Sequence, residues 1–166
     1  STARCLIYVS PDAQRTMCTY LGASVLLEPA DIDLSVVSDG KILYLEGYLW
    51  DNLAAKNAFI KAAEIAKKAD RKVALSLSDS FCVNRHRESF IKLVEDHVDI
   101  LFANADEIMS LYQCSFLEPA LEKLEQRCDL AAITIGEKGS ILISNGNRIH
   151  IDPFIYGKAV DTTGAG

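Results

Sequence analysis

Residues that interrupt regular structure are scarce in this sequence, with four prolines and nine glycines in 166 residues, too few for a collagen-like or low-complexity chain. It has no run of about 18 apolar residues, the length a helix needs to cross a bilayer. The opening Ser1-Thr2-Ala3-Arg4 lacks the charged-then-apolar layout of a signal peptide. Positive charge is also short: 17 Lys and Arg face 23 Asp and Glu, for a net charge of −6. The balance is −3 over residues 1–50, +1 over 51–100 and −4 over 101–166. With no basic segment, the counterion release that drives general nucleic-acid binding has little to act on, and neither a nucleic acid nor a membrane is expected as a partner. The five cysteines (Cys5, Cys18, Cys82, Cys114, Cys128) are odd in number and form no C-x-x-C pair. Neither a disulfide scaffold nor a zinc site is expected, and a reduced cytoplasmic setting fits best. The P-loop, G-x-G-x-x-G, H-E-x-x-H, G-x-S-x-G and protein-kinase signatures are all missing. His86, His97 and His150 have no metal-ligand neighbours and read as structural.

What remains is 49% apolar and 24% charged, the balance of a globular domain large enough for one core. Residues 3–9 and 15–20 read as strands around the turn Ser10–Gln14, an antiparallel hairpin. From residue 41 the pattern changes. Ile42–Leu45 is a continuous apolar run, as in a strand buried on both faces. Asp51 is placed to cap a helix over 52–68, followed by a strand at 73–77 and a helix at 84–96. A third strand covers 98–102, and Asn104 caps a helix over 105–112. Ser115–Glu118 has the shape of a capping box opening a helix to about 127. A fourth strand covers 130–135, and 140–143 and 148–151 flank the hairpin turn Asn145-Gly146-Asn147. The alternation predicts an α/β fold, a Rossmann-like, mostly parallel sheet with helices on both faces, plus a small β lid. Residues 1–22 are assigned to the lid and its return, and 23–166 to the core.

Ligands of open parallel sheets bind beyond the carboxyl ends of the strands. Four groups of residues fall there. Asn104 and Glu107 are three apart on one helix face, which suits Mg²⁺ held directly or through its waters, and equally a capping box. Thr134, Gly136 and Gly139 follow the fourth strand, where glycines admit a ligand close to the backbone or simply make a tight turn. Asp161-Thr162-Thr163-Gly164-Ala165-Gly166 presents successive amides in one direction, an anion-binding arrangement, or else a turn without a ligand. Arg15 in the hairpin is the fourth, although a lone Arg on a strand is usually a solvated charge.

Asp161–Gly166 resembles the D-T-x-G-A-G-D signature of the ribokinase-like, or PfkB, family of carbohydrate and nucleoside kinases. Arg15-Thr16-Met17 with Leu21-Gly22-Ala23 resembles its lid-to-core segment, and Tyr44–Tyr48 the strand beside the acceptor site. Asn104-x-x-Glu107 and Thr134-x-Gly136-x-x-Gly139 resemble its N-x-x-E motif and its nucleotide-contacting turn. Within the family the chain is most similar to an adenosine-kinase-like sugar kinase. The resemblance implies transfer of a phosphoryl group from ATP to a hydroxyl of a sugar or nucleoside, with ATP and Mg²⁺ as cofactors. It gives the amides of Gly164, Ala165 and Gly166 to the anion hole and Arg15 to the transferring phosphate. Asn104 and Glu107 would organise Mg²⁺ and the phosphates, and Thr134, Gly136 and Gly139 the nucleotide. Asp161 and Thr163 match positions that hold a monovalent cation such as K⁺, and Glu46 a contact to the sugar. It also implies pairing of the lid with a second subunit as a homodimer. The family's catalytic Asp would follow Gly166 and its G-G motif would precede Ser1, so the sequence reads as the middle of a kinase, inactive alone. Two alternatives are a kinase of a vitamin precursor and a non-catalytic nucleotide-binding or regulatory protein on the same fold.

Overall fold

A computed structural model of the chain describes residues 1–154, 157 and 161. Strands β1 (Arg4–Val9) and β2 (Arg15–Tyr20) form an antiparallel two-stranded sheet, with Arg4 opposite Tyr20 and Val9 opposite Arg15. Their turn closes through the Ser10 amide donating to the Gln14 carbonyl at 2.8 Å. Every residue of both strands is exposed. A 3₁₀ turn at Gly22–Leu26 leads back, and a short helix, α1 (Leu34–Asp39), is capped by the Asp33 carboxylate.

The second sheet has six strands in the order β3 (Ile42–Glu46), β4 (Lys72–Ser76), β5 (Ile100–Asn104), β6 (Leu130–Thr134), β7 (Ser140–Ser144) and β8 (Asn147–Ile151). β3 to β6 run parallel, and β7 and β8 are antiparallel additions. Helices α2 (Leu53–Lys68), α3 (Ser80–Arg85), α4 (Arg87–His97), α5 (Ala105–Tyr112) and α6 (Leu117–Glu125) lie in the crossovers. Because spatial order follows chain order, right-handed crossovers all step the same way and put these helices on one face. The burial pattern agrees. Leu45, Leu75, Leu101, Ile133 and Ile143 are buried against Phe59, Phe90, Ile108 and Leu121. The alternate residues Ile42, Tyr44, Phe102, Leu130 and Ile149 are exposed. The mostly parallel α/β sheet read from the sequence is present. The described helices line its one face.

Several local expectations need correction. Ile42–Leu45 is an edge strand with one open face, because neither the first sheet nor α1 covers Ile42 or Tyr44. Asn52, not Asp51, caps α2, accepting from the Ala54 amide at 2.8 Å; Asp51 is instead paired with Arg85 and His86. The apolar stripe of α2 is built on Ala55, Phe59, Ala62 and Ala66, while Leu53 is exposed. The expected helix at 84–96 is two helices meeting at His86, whose backbone leaves the helical region (φ −124°, ψ 25°). The third strand runs two residues later than expected. Phe116 is the cap residue of α6 and no side chain caps that helix, so Ser115–Glu118 forms no capping box. The β7–β8 turn has both Asn145 and Gly146 at positive φ, as the Asn-Gly pair predicts.

Candidate active site

At the carboxyl end of β5, Asn104 and Glu107 lock together. The Asn104 side-chain oxygen accepts from the Glu107 amide at 2.8 Å. The Glu107 carboxylate accepts from the Asn104 backbone and side-chain amides, both at 2.9 Å. This is the capping box in full, and it fixes the carboxylate rather than occupying it, since each oxygen keeps a further lone pair. Glu107 is only 6% exposed, the sole buried charged residue among those described. Burial pushes its pKa up; the Asn104 amide opposes the shift, and the negative charges of Asp79, Glu46 and Asp106 reinforce it. A carboxylate so placed gains from a cation. Among the described residues no three acidic, His or Cys side chains converge as a metal cage.

Glu46 ends β3 on the open face of the sheet. It accepts from the Tyr44 hydroxyl at 3.0 Å and from the Ser78 hydroxyl. Gly47 follows, and a Cβ there would stand 2.5 Å from the Leu77 carbonyl oxygen, so only glycine lets the chain pass the end of β4. The next residue, Tyr48, links the parts of the site. Burial raises its pKa, Asp79, Glu107 and Glu46 raise it further, and Arg15 lowers it. Arg15 therefore lies within electrostatic reach of the same cluster although it belongs to the other sheet. Register sets Thr134 of β6 directly beside Asn104.

The two glycines after Thr134 differ. Gly139 has φ +90°, and a Cβ on it would meet the Ile151 carbonyl oxygen at 2.1 Å, so close packing under β8 requires glycine there. Gly136 has φ +62° and open space where a Cβ would be, leaving its backbone approachable. Asp161 is exposed. Thr163, Gly164, Ala165 and Gly166 lie outside the described residues. Glu46, Asn104 and Thr134 thus end their strands on the carboxyl side, Glu107 and Gly136 follow in the first turns after them, and Arg15, on the other sheet, is tied to this group only through its charge acting on Tyr48. Sequence reasoning missed Ser78 and Asp79, and it took in Tyr48 only as the last residue of the segment resembling the strand beside the acceptor site, with no role of its own. Of these only Asp79 carries a signal, as an Asp three residues past the end of β4 that caps α3 by accepting from the Phe81 and Cys82 amides. Cys82 is no rival nucleophile, because burial pushes its thiol up to about 11.

Residues 1–166 match the profile of the pfkB family of carbohydrate kinases, and the chain belongs to that family. Adenosine kinase from Sinorhizobium meliloti superposes with a TM-score of 0.94 at 45% identity, over 99% of this chain and 50% of that one. A probable fructokinase-4 from Arabidopsis thaliana is 28% identical over 99% of this chain and 52% of its own length. The chain thus spans about half the length of these relatives. A ribokinase II from E. coli, solved in complex with ATP and Mg²⁺, shares the fold at 17% identity and a TM-score of 0.78, over 92% of this chain and 51% of that one.

Proposed function

We propose that this chain belongs to a kinase that transfers the γ-phosphoryl group of ATP to a hydroxyl of a nucleoside or sugar. The observation that carries the reading is the buried Glu107 carboxylate, fixed by Asn104 at the end of β5, whose pKa is raised by burial and further by the charges of Asp79 and Glu46. A buried carboxylate held ionised-ready next to like charges stores unfavourable electrostatics that a bound cation relieves. On this reading Mg²⁺ and the ATP phosphates are organised by Asn104 and Glu107, and the nucleotide lies along Thr134 and Gly136. Gly139 supports that turn from below. Glu46 contacts the acceptor, and Arg15 meets charge on the transferring group. Mg²⁺ supplies neutralisation of phosphate charge, and the chain supplies positioning. The amides of Gly164, Ala165 and Gly166 complete the anion hole, Asp161 and Thr163 take a monovalent cation such as K⁺, and a carboxylate after Gly166 receives the acceptor proton. The exposed apolar residues of β1 and β2, among them Leu6, Tyr8 and Tyr20, suit pairing with a second subunit in a cytoplasmic homodimer. The likeness to an adenosine kinase at 45% identity and to a probable sugar kinase at 44% supports nucleosides and sugars alike as acceptors.

The test is ATP-dependent phosphorylation by the full-length protein across a panel of nucleosides and sugars with Mg²⁺. Turnover of at least one acceptor is expected, and none across the panel overturns the reading. The 166-residue chain alone is expected to be inactive. Arg15→Ala is expected to lower kcat by about 10²-fold or more with a smaller change in acceptor KM, because the arginine acts on charge that develops during transfer. A raised KM with unchanged kcat would assign Arg15 to ground-state binding instead.

A further inference from the structure

Ser78 is the residue of the site that departs furthest from its own backbone preference. Its φ is +67°, a region that favours glycine. The Asp79 amide donates to the Leu77 carbonyl at 2.8 Å across it. Residues 77–79 therefore form the positive-φ γ-turn, which is rare and strained. Strain of this kind persists where the surroundings over-determine it, and it clusters at functional sites.

The turn delivers one side chain. The Ser78 hydroxyl donates to Glu46 Oε1. Its oxygen also lies 3.1 Å from the Ser76 carbonyl oxygen and 3.3 Å from the Ser76 hydroxyl. The other oxygen of Glu46, Oε2, accepts from the Tyr44 hydroxyl at 3.0 Å. The carboxylate is thus held at both oxygens, by its own strand on one side and by the end of β4 on the other. An ionised carboxylate is acceptor-only, and each oxygen retains capacity for another donor. A carboxylate fixed in this way, already accepting from two hydroxyls, is suited to accept from further hydroxyls of a bound acceptor.

We propose that Ser78 is a positioning residue for the acceptor: its strained turn exists to hold the Glu46 carboxylate in the orientation that reads acceptor hydroxyls. This rests on the assignment of Glu46 to the acceptor made above, and it adds a role for a residue that does not itself touch the acceptor.

The experiment uses the full-length protein and four variants: Ser78→Gly, Ser78→Ala, Glu46→Gln and the Ser78→Gly/Glu46→Gln double. Glycine accepts positive φ, so Ser78→Gly removes the hydroxyl while leaving the turn relaxed. It is expected to raise acceptor KM about tenfold, with ATP KM unchanged and Tm near that of the parent. Ser78→Ala is expected to raise acceptor KM equally and to have the lower Tm of the two variants, because it keeps the Cβ strain of the parent and loses the hydroxyl bond to Glu46 that offsets it. If that variant does not fold, Ser78→Gly still decides. In the Glu46→Gln background, Ser78→Gly is expected to add less than about twofold. An unchanged acceptor KM in Ser78→Gly, or equal rises in both KM values, overturns the proposal. Full additivity with an effective Glu46→Gln also overturns it, while leaving Glu46 as an acceptor contact. An unchanged acceptor KM in Glu46→Gln removes the assignment of Glu46, and the role of Ser78 with it.

Discussion

The two ends of the parallel sheet obey different rules. At the amino ends of the strands, charges meet opposite charges and backbone groups find partners. Asp99 accepts from the Val73 amide at 2.8 Å and lies 3.4 Å from Lys72 and 3.6 Å from Lys67, while Arg127 pairs with Glu95 at 2.7 Å. At the carboxyl ends, a serine sits at positive φ and Glu107 is buried among like charges. Two glycines there, Gly47 and Gly139, stand where a Cβ would strike a carbonyl oxygen. Left-handed residues occur at the amino ends too, Asp70 and Asn145 among them, so what sets the carboxyl ends apart among the described residues is Glu107 buried among like charges, beside two glycines hemmed in by carbonyl oxygens. The substitutions below are chosen to break that contrast.

The largest effect is expected at Gly139. Alanine there would place Cβ 2.1 Å from the Ile151 carbonyl oxygen and 2.9 Å from the Pro153 nitrogen, at a φ of +90°. Overpacking and left-handed strain together should cost about 3 kcal/mol or more, read as a lower urea midpoint. Gly136→Ala meets no atom within 4 Å and bears only the conformational cost at φ +62°, about 1–2 kcal/mol. If Gly136 borders the nucleotide, its variant also raises ATP KM out of proportion to that loss. Equal destabilisation by the two variants would show that openness at Gly136 has been misread.

Glu107 gives a prediction in pH. Burial, more than any neighbour, raises its folded-state pKa above the ordinary 4.5. Between those two values the folded protein binds the proton more tightly than the unfolded chain. The contribution of Glu107 to stability is therefore fully present below about pH 4.5 and is lost as pH rises through the folded-state value. The difference in urea midpoint between the parent and Glu107→Gln should shift against the parent over that window. Saturating Mg²⁺ and ATP should reverse the trend, because a cation favours the ionised form. A trend that ignores Mg²⁺ and ATP would separate Glu107 from the metal.

Much of this was legible because it is local. The Asn104–Glu107 box, the Asn145-Gly146 turn and the two hairpins are each written within four or five residues, and each appears where the sequence puts it. The errors fall where distant residues decide. Asp51 and Asn52 are equally good caps by type, and Asp51 is drawn off by Arg85 and His86, more than thirty positions away. The break at His86 hides inside a helical pattern because no glycine or proline marks it. Ser78 meets Glu46 across 32 residues, and a serine gives no warning of positive φ. Arg15 could be placed near the cluster only once the two sheets were in view.

The smallest effects are expected at the amino ends, and they test whether that end is inert toward chemistry. Lys72 is 68% exposed, and its ammonium stands 3.4 Å from Asp99, a separation that solvent and salt screen heavily. Exposed pairs of this kind are worth about 0–1 kcal/mol, and Lys67 remains beside Asp99 when Lys72 is removed. Lys72→Ala should therefore change stability by less than about 0.5 kcal/mol, an effect that fades in 0.5 M salt. Asp99→Ala should cost more, about 1–3 kcal/mol, because the Val73 amide loses its acceptor at 2.8 Å and salt does not replace it. Neither variant should alter kcat or either KM in the full-length protein, since Asp99 and Lys72 sit at the end of the sheet away from Glu46, Ser78 and Glu107. A changed ATP or acceptor KM in Lys72→Ala, with stability intact, would show that the amino ends are coupled to the site, and the division between a working end and a holding end would have to be given up.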